Sequence, residues 1–247
     1  LIVKKENHIL CRYANNPCSC LRYLFKMNQA CNETCINIIK IGRFGNNFIS
    51  FKNALILSIA TGIKKVFIPK GFLFFSQNFY IRDISVEIGT PTIKCFSNPF
   101  FYCHKIVGPF YDQFLYIIND IKVSFLKQFK NISFPNDTLV IYIRSGDIFT
   151  KNPHPKYGQP PCHYYQDIIN MKNWSKKILI AEDQKNPCVF LISQIIGNFK
   201  QRSLNDDLVY LLNAPNLVIS KGTFGNAIIA LSNKIINILS KIINIVG

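Results

Sequence analysis

Arg144, Ser145, Gly146 and Asp147 stand together where the apolar run Leu139-Val140-Ile141-Tyr142-Ile143 ends. A run of that length suits a buried parallel strand, and α/β proteins bind their ligands at the carboxyl ends of such strands. Arg presents a planar fork of donors that grips phosphate bidentately, and Gly lets the backbone approach closely. Asp147 either takes part in the chemistry, orients Arg144 or caps the following turn. A cation, a small residue and a carboxylate so placed suit a diphosphate.

Two other stretches repeat this logic. Ile38-Ile39-Lys40-Ile41 runs into Gly42-Arg43-Phe44-Gly45-Asn46-Asn47. The two glycines permit a tight turn and close helix packing, whereas Arg43 and Asn46 beside helix N–H groups make an anion and sugar site. Both readings stand. Leu217-Val218-Ile219 leads into Ser220-Lys221-Gly222-Thr223-Phe224. Here Ser220, Thr223 and Phe224 face the crevice of Arg144 and hold a diphosphate, or Thr223 only caps a helix.

The elements that must position these residues alternate in the second half. Strands are expected at Leu139 to Arg144, Ile178 to Ala181 and Leu217 to Ser220, with helices near Tyr164 to Met171, after Pro187 and from Ser203. Ser203 followed by Asp206 and Asp207 and then by Leu208, Leu211 and Leu212 is a capping signature before an apolar face. This is the rhythm of a parallel, doubly wound sheet. The tail from Ala227 to Val246 has helical spacing, which packing onto a sheet explains better than membrane docking. In the first half a strand at Ile38 to Ile41, a helix through Ala60, a strand at Lys65 to Ile68 and a helix from Tyr111 to Phe129 are expected, with 131–137 as linker. The loop from His154 to Pro161 after the Arg motif reads as a rigid segment beside the cleft or as a plain crossing stiffened by prolines.

The chain has 247 residues, 49% hydrophobic and 17% charged, enough for one large core or two modest ones and too apolar for disorder. A net charge of +16 favours anionic partners, yet its lysines are scattered and form no contiguous basic stripe. No nucleic-acid partner is expected, although a strand binder with steep salt dependence is the rival that this charge raises.

Nine cysteines, with Cys11, Cys18, Cys20, Cys31 and Cys35 crowded early, favour disulfides in a secretory lumen over zinc, because their gaps are irregular and His8 is the only local imidazole. Sequons at Asn32, Asn131, Asn136 and Asn173 agree weakly with a lumen. No stretch reaches the roughly 18 uninterrupted apolar residues of a membrane span, so any membrane anchor is expected upstream of Leu1.

The three motifs, in this order, resemble the fucosyltransferases that use GDP-fucose, the group containing the α1,2, α1,6 and protein O-fucosyl enzymes. Gly42-Arg43-Phe44-Gly45-Asn46 is similar to their GRxGN loop, Tyr142-Ile143-Arg144-Ser145-Gly146-Asp147 to HxRxGD, and Ser220 to Phe224 to a late STF-type motif. The resemblance spans most of residues 37 to 240 and leaves the cysteine-rich start unmatched.

It implies a GT-B-like α/β architecture: a cysteine-rich segment at 1–36, an acceptor-side Rossmann-like lobe at 37–133, a nucleotide-sugar lobe at 134–247, and a cleft between the lobes. It further implies inverting fucose transfer to a glycan or glycoprotein acceptor in the Golgi or ER, with no cofactor or metal required. By position Arg144 would neutralise the β-phosphate, Asn46 and Arg43 would face the fucose and diphosphate, and Gly45, Tyr142, Ser145, Gly146, Thr223 and Phe224 would line the donor site with Ser220. Asp183 falls at the guanine side, and Asp147, Glu182 and Asp112 are the candidate bases. Tyr142 replaces the usual His, so a degenerate pocket that binds without catalysis is the alternative. Another nucleotide sugar or a sulfate carrier also remains open as the donor.

Overall fold

A computed structural model describes residues 34–40, 42–100, 115–149, 158–197 and 199–239. The chain divides into two units, Leu1–Gln128 and Phe129–Gly247. Both are mixed α/β with parallel pairing.

In the first unit, β1 (Ile36–Ile38), β2 (Lys65–Ile68), β3 (Phe79–Ile81), β4 (Ile84–Ile88) and β5 (Phe96–Asn98) form a sheet ordered β3-β4-β2-β1-β5. Only the β3–β4 pair is antiparallel. Helix α1 (Phe44–Thr61) follows β1. Its Phe44, Phe48, Phe51 and Leu55 recur at helical spacing and are all buried. Phe51 meets Phe72, Phe75 and Phe79, while Phe44 and Phe75 both reach Phe125 on α2 (Leu115–Leu126). Burying one such ring contributes about 2–3 kcal/mol, so this aromatic cluster anchors the unit.

The expected strand at Ile38 to Ile41 lies earlier than its apolar run suggested. Ile36 pairs with both Val66 and Phe96, whereas Ile39 is largely exposed, so partners on both sides fix the strand at its start. Residues 111–114 of the expected second helix lie outside the described residues. The three-residue strands β3 and β5 are too short to show a periodicity, whereas β4 alternates as Ile84-Ser85-Val86-Glu87-Ile88.

In the second unit, β6 (Thr138–Tyr142), β7 (Lys176–Ile180), β8 (Asn216–Ile219) and β9 (Asn237–Leu239) form an all-parallel sheet ordered β7-β6-β8-β9. Leu139, Ile141, Ile143, Leu179 and Val218 pack with Tyr165, Ile168, Val189 and Ile192 of helices α3 (Cys162–Asn170) and α4 (Pro187–Ile196). The alternate residues Val140, Ile178, Ile180 and Leu217 point to the opposite face and are buried too. Helix α5 (Leu204–Leu212) packs on β6 and on α6 (Thr223–Leu231). A parallel sheet buried on both faces is compatible with a Rossmann-like fold.

Helix α5 begins as its sequence predicts: Ser203 Oγ accepts from Asp206 N at 3.2 Å and donates to the Asp206 carboxylate at 2.7 Å. The apolar tail is corrected. Its helix stops at Leu231, where Ser232 Oγ donates to Leu212 O at 2.8 Å and accepts from Lys234 N at 3.1 Å. Asn237 to Leu239 then adds a strand beside β8, because isoleucines at 235, 236 and 238 fit either period and the ladder of β8 offered a partner. Residues 240–247 lie outside the described residues.

Disulfides join Cys35 to Cys95 and Cys162 to Cys188. They are consistent with an oxidising lumen. The other cysteines lie outside the described residues. No described helix is long and apolar enough to cross a membrane.

Candidate functional site

Strand order decides where a ligand belongs in the second unit. From β6 the chain moves to β7 on one side, and from β8 it moves to β9 on the other. The carboxyl ends of β6 and β8 are therefore neighbours whose connections diverge, which opens a crevice in doubly wound sheets. Arg144 leaves β6 there, and Ser220 to Phe224 leave β8 there.

The two strand ends are tied through one hydroxyl. Ser220 Oγ accepts from Arg144 N at 2.8 Å and donates to Tyr142 O at 3.0 Å. A serine hydroxyl has one proton, and Tyr142 O receives it, so the Tyr165 hydroxyl 2.9 Å away must be a donor to Ser220. Tyr165 is fully buried, and burial pushes its phenol up to about 12, which keeps it protonated.

A second knot forms on the β7 side. Asn186 Nδ2 donates to Arg144 O at 2.9 Å, Asn186 N donates to Ser145 Oγ at 2.9 Å, and Asn186 Oδ1 accepts from Cys188 N at 2.9 Å, capping α4. The Cys162–Cys188 disulfide joins the first turns of α3 and α4 beside it. Asp183 Oδ1 accepts from the Ser145 hydroxyl, from Gly146 N at 3.1 Å and from Lys185 N at 3.0 Å. Burial pushes the Asp183 carboxyl up, but these donors and the Lys185 charge together hold it below the usual carboxylate range.

This bonding refines the roles of several predicted residues. Ser145 and Ser220 are buried, and their hydroxyls serve the backbone of the two turns. Asp183 Oδ1 holds the turn of Arg144 together. Tyr142, Arg144, Asp147, Thr223 and Phe224 are partly exposed at the strand ends. The Tyr142 and Phe224 rings meet at 4.8 Å between centroids. Glu182 lays its carboxylate against buried Gly146. Gln159, just before α3, reaches Lys221 O at 3.4 Å, so the end of the proline-rich loop lies beside this site. Residues 150–157, including His154, lie outside the described residues.

The guanidinium itself packs on the start of α6. A Cβ placed on Gly222 would lie 2.5 Å from Arg144 Nη1, and Gly222 has φ 146°, a backbone state that suits glycine. Arg144 is 15% exposed, and Asp147 Oδ1 stands 3.6 Å from Nη2 while itself 42% exposed. At that length, and with the carboxylate half in solvent, the pair is a weak one. A guanidinium beside the positive end of a helix is electrostatically unfavourable alone and favourable with an anion between them.

Asn186, Tyr165 and Gly222 were not singled out in the sequence. The Asn186-Pro187 pair carries a cap signal, but Tyr165 looks like any core aromatic.

In the first unit the glycine loop follows β1, which lies between β2 and β5. Gly42 has φ 60°, and Asn46 Nδ2 lies 2.7 Å from where its Cβ would be, so the Asn46 amide folds back over the turn. Arg43 is exposed at the N-cap of α1, whereas Gly45 is buried inside the first helical turn. Asp112 lies outside the described residues.

Among the described residues no three His, Cys, Asp or Glu side chains gather to hold a metal ion. Comparison with protein-family models, with curated proteins and with solved structures finds no match.

Proposed function

We propose that this chain is a glycosyltransferase that moves fucose from GDP-fucose to a hydroxyl of a glycan or protein, with inversion and without a required metal. The observation that carries the reading is the Arg144 guanidinium set against the N-terminus of α6 at the switch point between β6 and β8. The ordered likeness of the three motifs to GDP-fucose enzymes chooses the donor. In this reading the two units are the lobes of a GT-B-like enzyme, Arg43 and Asn46 belong to the donor and acceptor side, and the protein works in the Golgi or ER lumen.

In the reaction the bond between fucose C1 and the β-phosphate oxygen breaks, and the acceptor oxygen bonds to C1. The acceptor proton passes to a base, and GDP leaves with the electron pair. Negative charge grows on the diphosphate, so a fixed guanidinium and helix N–H groups stabilise the transition state more than the ground state. Asp147 and Glu182 stand near enough to Arg144 and Gly146 to be the first carboxylates to test as bases.

The test is release of nucleoside diphosphate from a panel of sugar donors, with and without added glycan acceptors. GDP released from GDP-fucose above all other donors supports the proposal. Tight GDP-fucose binding with no release under any acceptor assigns a binding protein instead, and no binding of any donor overturns the site.

A further inference from the structure

We propose that Asn131 and Asn173 carry N-linked glycans, and that Asn136, although in a sequon, is not modified once the chain has folded. The inference is independent of what the Arg144 site binds. It follows from how three sequons enter the second sheet.

Asn173-Trp174-Ser175 leads directly into β7. Trp174 turns inward, buried, with Nε1 donating to Ile168 O at 3.0 Å and its ring covered by Lys172 Nζ at 4.2 Å. Asn173 and Ser175 are both exposed. The segment before β6 repeats the pattern: Asn131 and Ser133 are exposed, Ile132 and Phe134 half-buried. Phe134 stacks on Tyr210 at 5.9 Å beneath Lys176, which anchors that strand of loop. In both sequons the asparagine amide and the serine two residues on are exposed, Ser175 Oγ donating to Asp137 Oδ1 at 2.5 Å across the loop before β6.

Asn136-Asp137-Thr138 differs. Asn136 is exposed, but Thr138 is the first residue of β6 and wholly buried, and Asn216 Nδ2 bonds Asn136 O at 2.7 Å and Thr138 O at 2.9 Å. Its hydroxyl cannot be reached without unzipping β6.

Asn131 and Asn173 precede β6 and β7, and Thr138 pairs with Lys176. Both glycans would therefore stand at the amino edge of the parallel sheet, about five strand residues or ~17 Å from the carboxyl edge that carries Arg144. Carbohydrate there leaves that edge open.

The experiment directs the full chain, behind an added signal sequence, into the secretory pathway of a eukaryotic host. Intact mass is read before and after peptide N-glycosidase, with release in heavy-oxygen water to mark each former glycan site. Mass loss with label at Asn131 and Asn173, and loss of one glycan in each of N131Q and N173Q, supports the proposal. An unchanged mass, the absence of label at Asn131 or at Asn173, or label at Asn136 overturns it. The conservative variants S133T and S175T keep both sequons and must retain both glycans, which separates lost modification from lost folding.

Discussion

A Cβ on Gly222 would sit 2.5 Å from Nη1 of Arg144, two residues that lie 78 positions apart and meet only because β6 and β8 are neighbours. The guanidinium thus occupies space that any other residue at 222 would fill. Gly222→Ala is expected to displace it and to strain a turn at φ 146°. GDP affinity should fall at least about tenfold, the equivalent of ~1.4 kcal/mol, in a calorimetric titration. Unchanged affinity would show that the contact does not position Arg144.

Asn186 holds the Arg144 turn from the other side while it caps α4. Asn186→Ser keeps a capping hydroxyl, since Ser is as good a cap as Asn, but cannot reach Arg144 O. The variant should stay folded, losing about 1–2 kcal/mol in denaturant unfolding, and should bind GDP several-fold more weakly. An Asn186→Ser variant that matches wild type on both measures, while Asn186→Ala loses, would mean that only the cap matters.

Tyr165 donates to Ser220, whose own proton goes to Tyr142 O. Tyr165→Phe removes one hydrogen bond from a buried hydroxyl that retains two others, at a cost of about 1 kcal/mol. Thermal unfolding should report that loss. Because the wild-type phenol is pushed up to about 12, the difference between the two proteins should be constant from pH 6 to 9. A difference that changes across this range would place the phenol in a wetter setting.

Asp207 links stability to pH. Burial pushes its carboxyl up to about 6, and Arg202, at 3.9 Å, offsets this only in part while Asp206 adds to it. A carboxyl with a raised folded pKa contributes stability below its unfolded value, about 3.9, and loses it as pH rises through about 6. Asp207→Asn should therefore remove a decline in stability between about pH 4 and 6.5 that wild type shows. Urea midpoints across that range measure it, and parallel curves for the two proteins would contradict it.

Some of this site was legible before any coordinates. Arg144 stood out because an apolar run broke into Arg-Ser-Gly-Asp, and Ser203 announced its helix by capping residues that act within one turn. Local signals of that kind are readable. What Ser220, Asp183 and Asn186 do was not, since each acts on a turn 37 or more residues away through hydrogen bonds that no local pattern announces. β9 was misread because its isoleucines satisfied a helical period, and only the vacant side of β8 decided otherwise. The assignment of hydroxyls at 145 and 220 to the backbone rather than to a ligand also needed the counted donors and acceptors.

The most direct measurement is calorimetric titration of GDP into wild type, Arg144→Lys and Arg144→Ala, with folding checked by circular dichroism. A diphosphate held by a planar guanidinium against the start of α6 predicts tight binding in wild type, at least tenfold weaker binding in Arg144→Lys, and none detectable in Arg144→Ala, all with native spectra. Equal affinity in all three folded proteins would contradict the account.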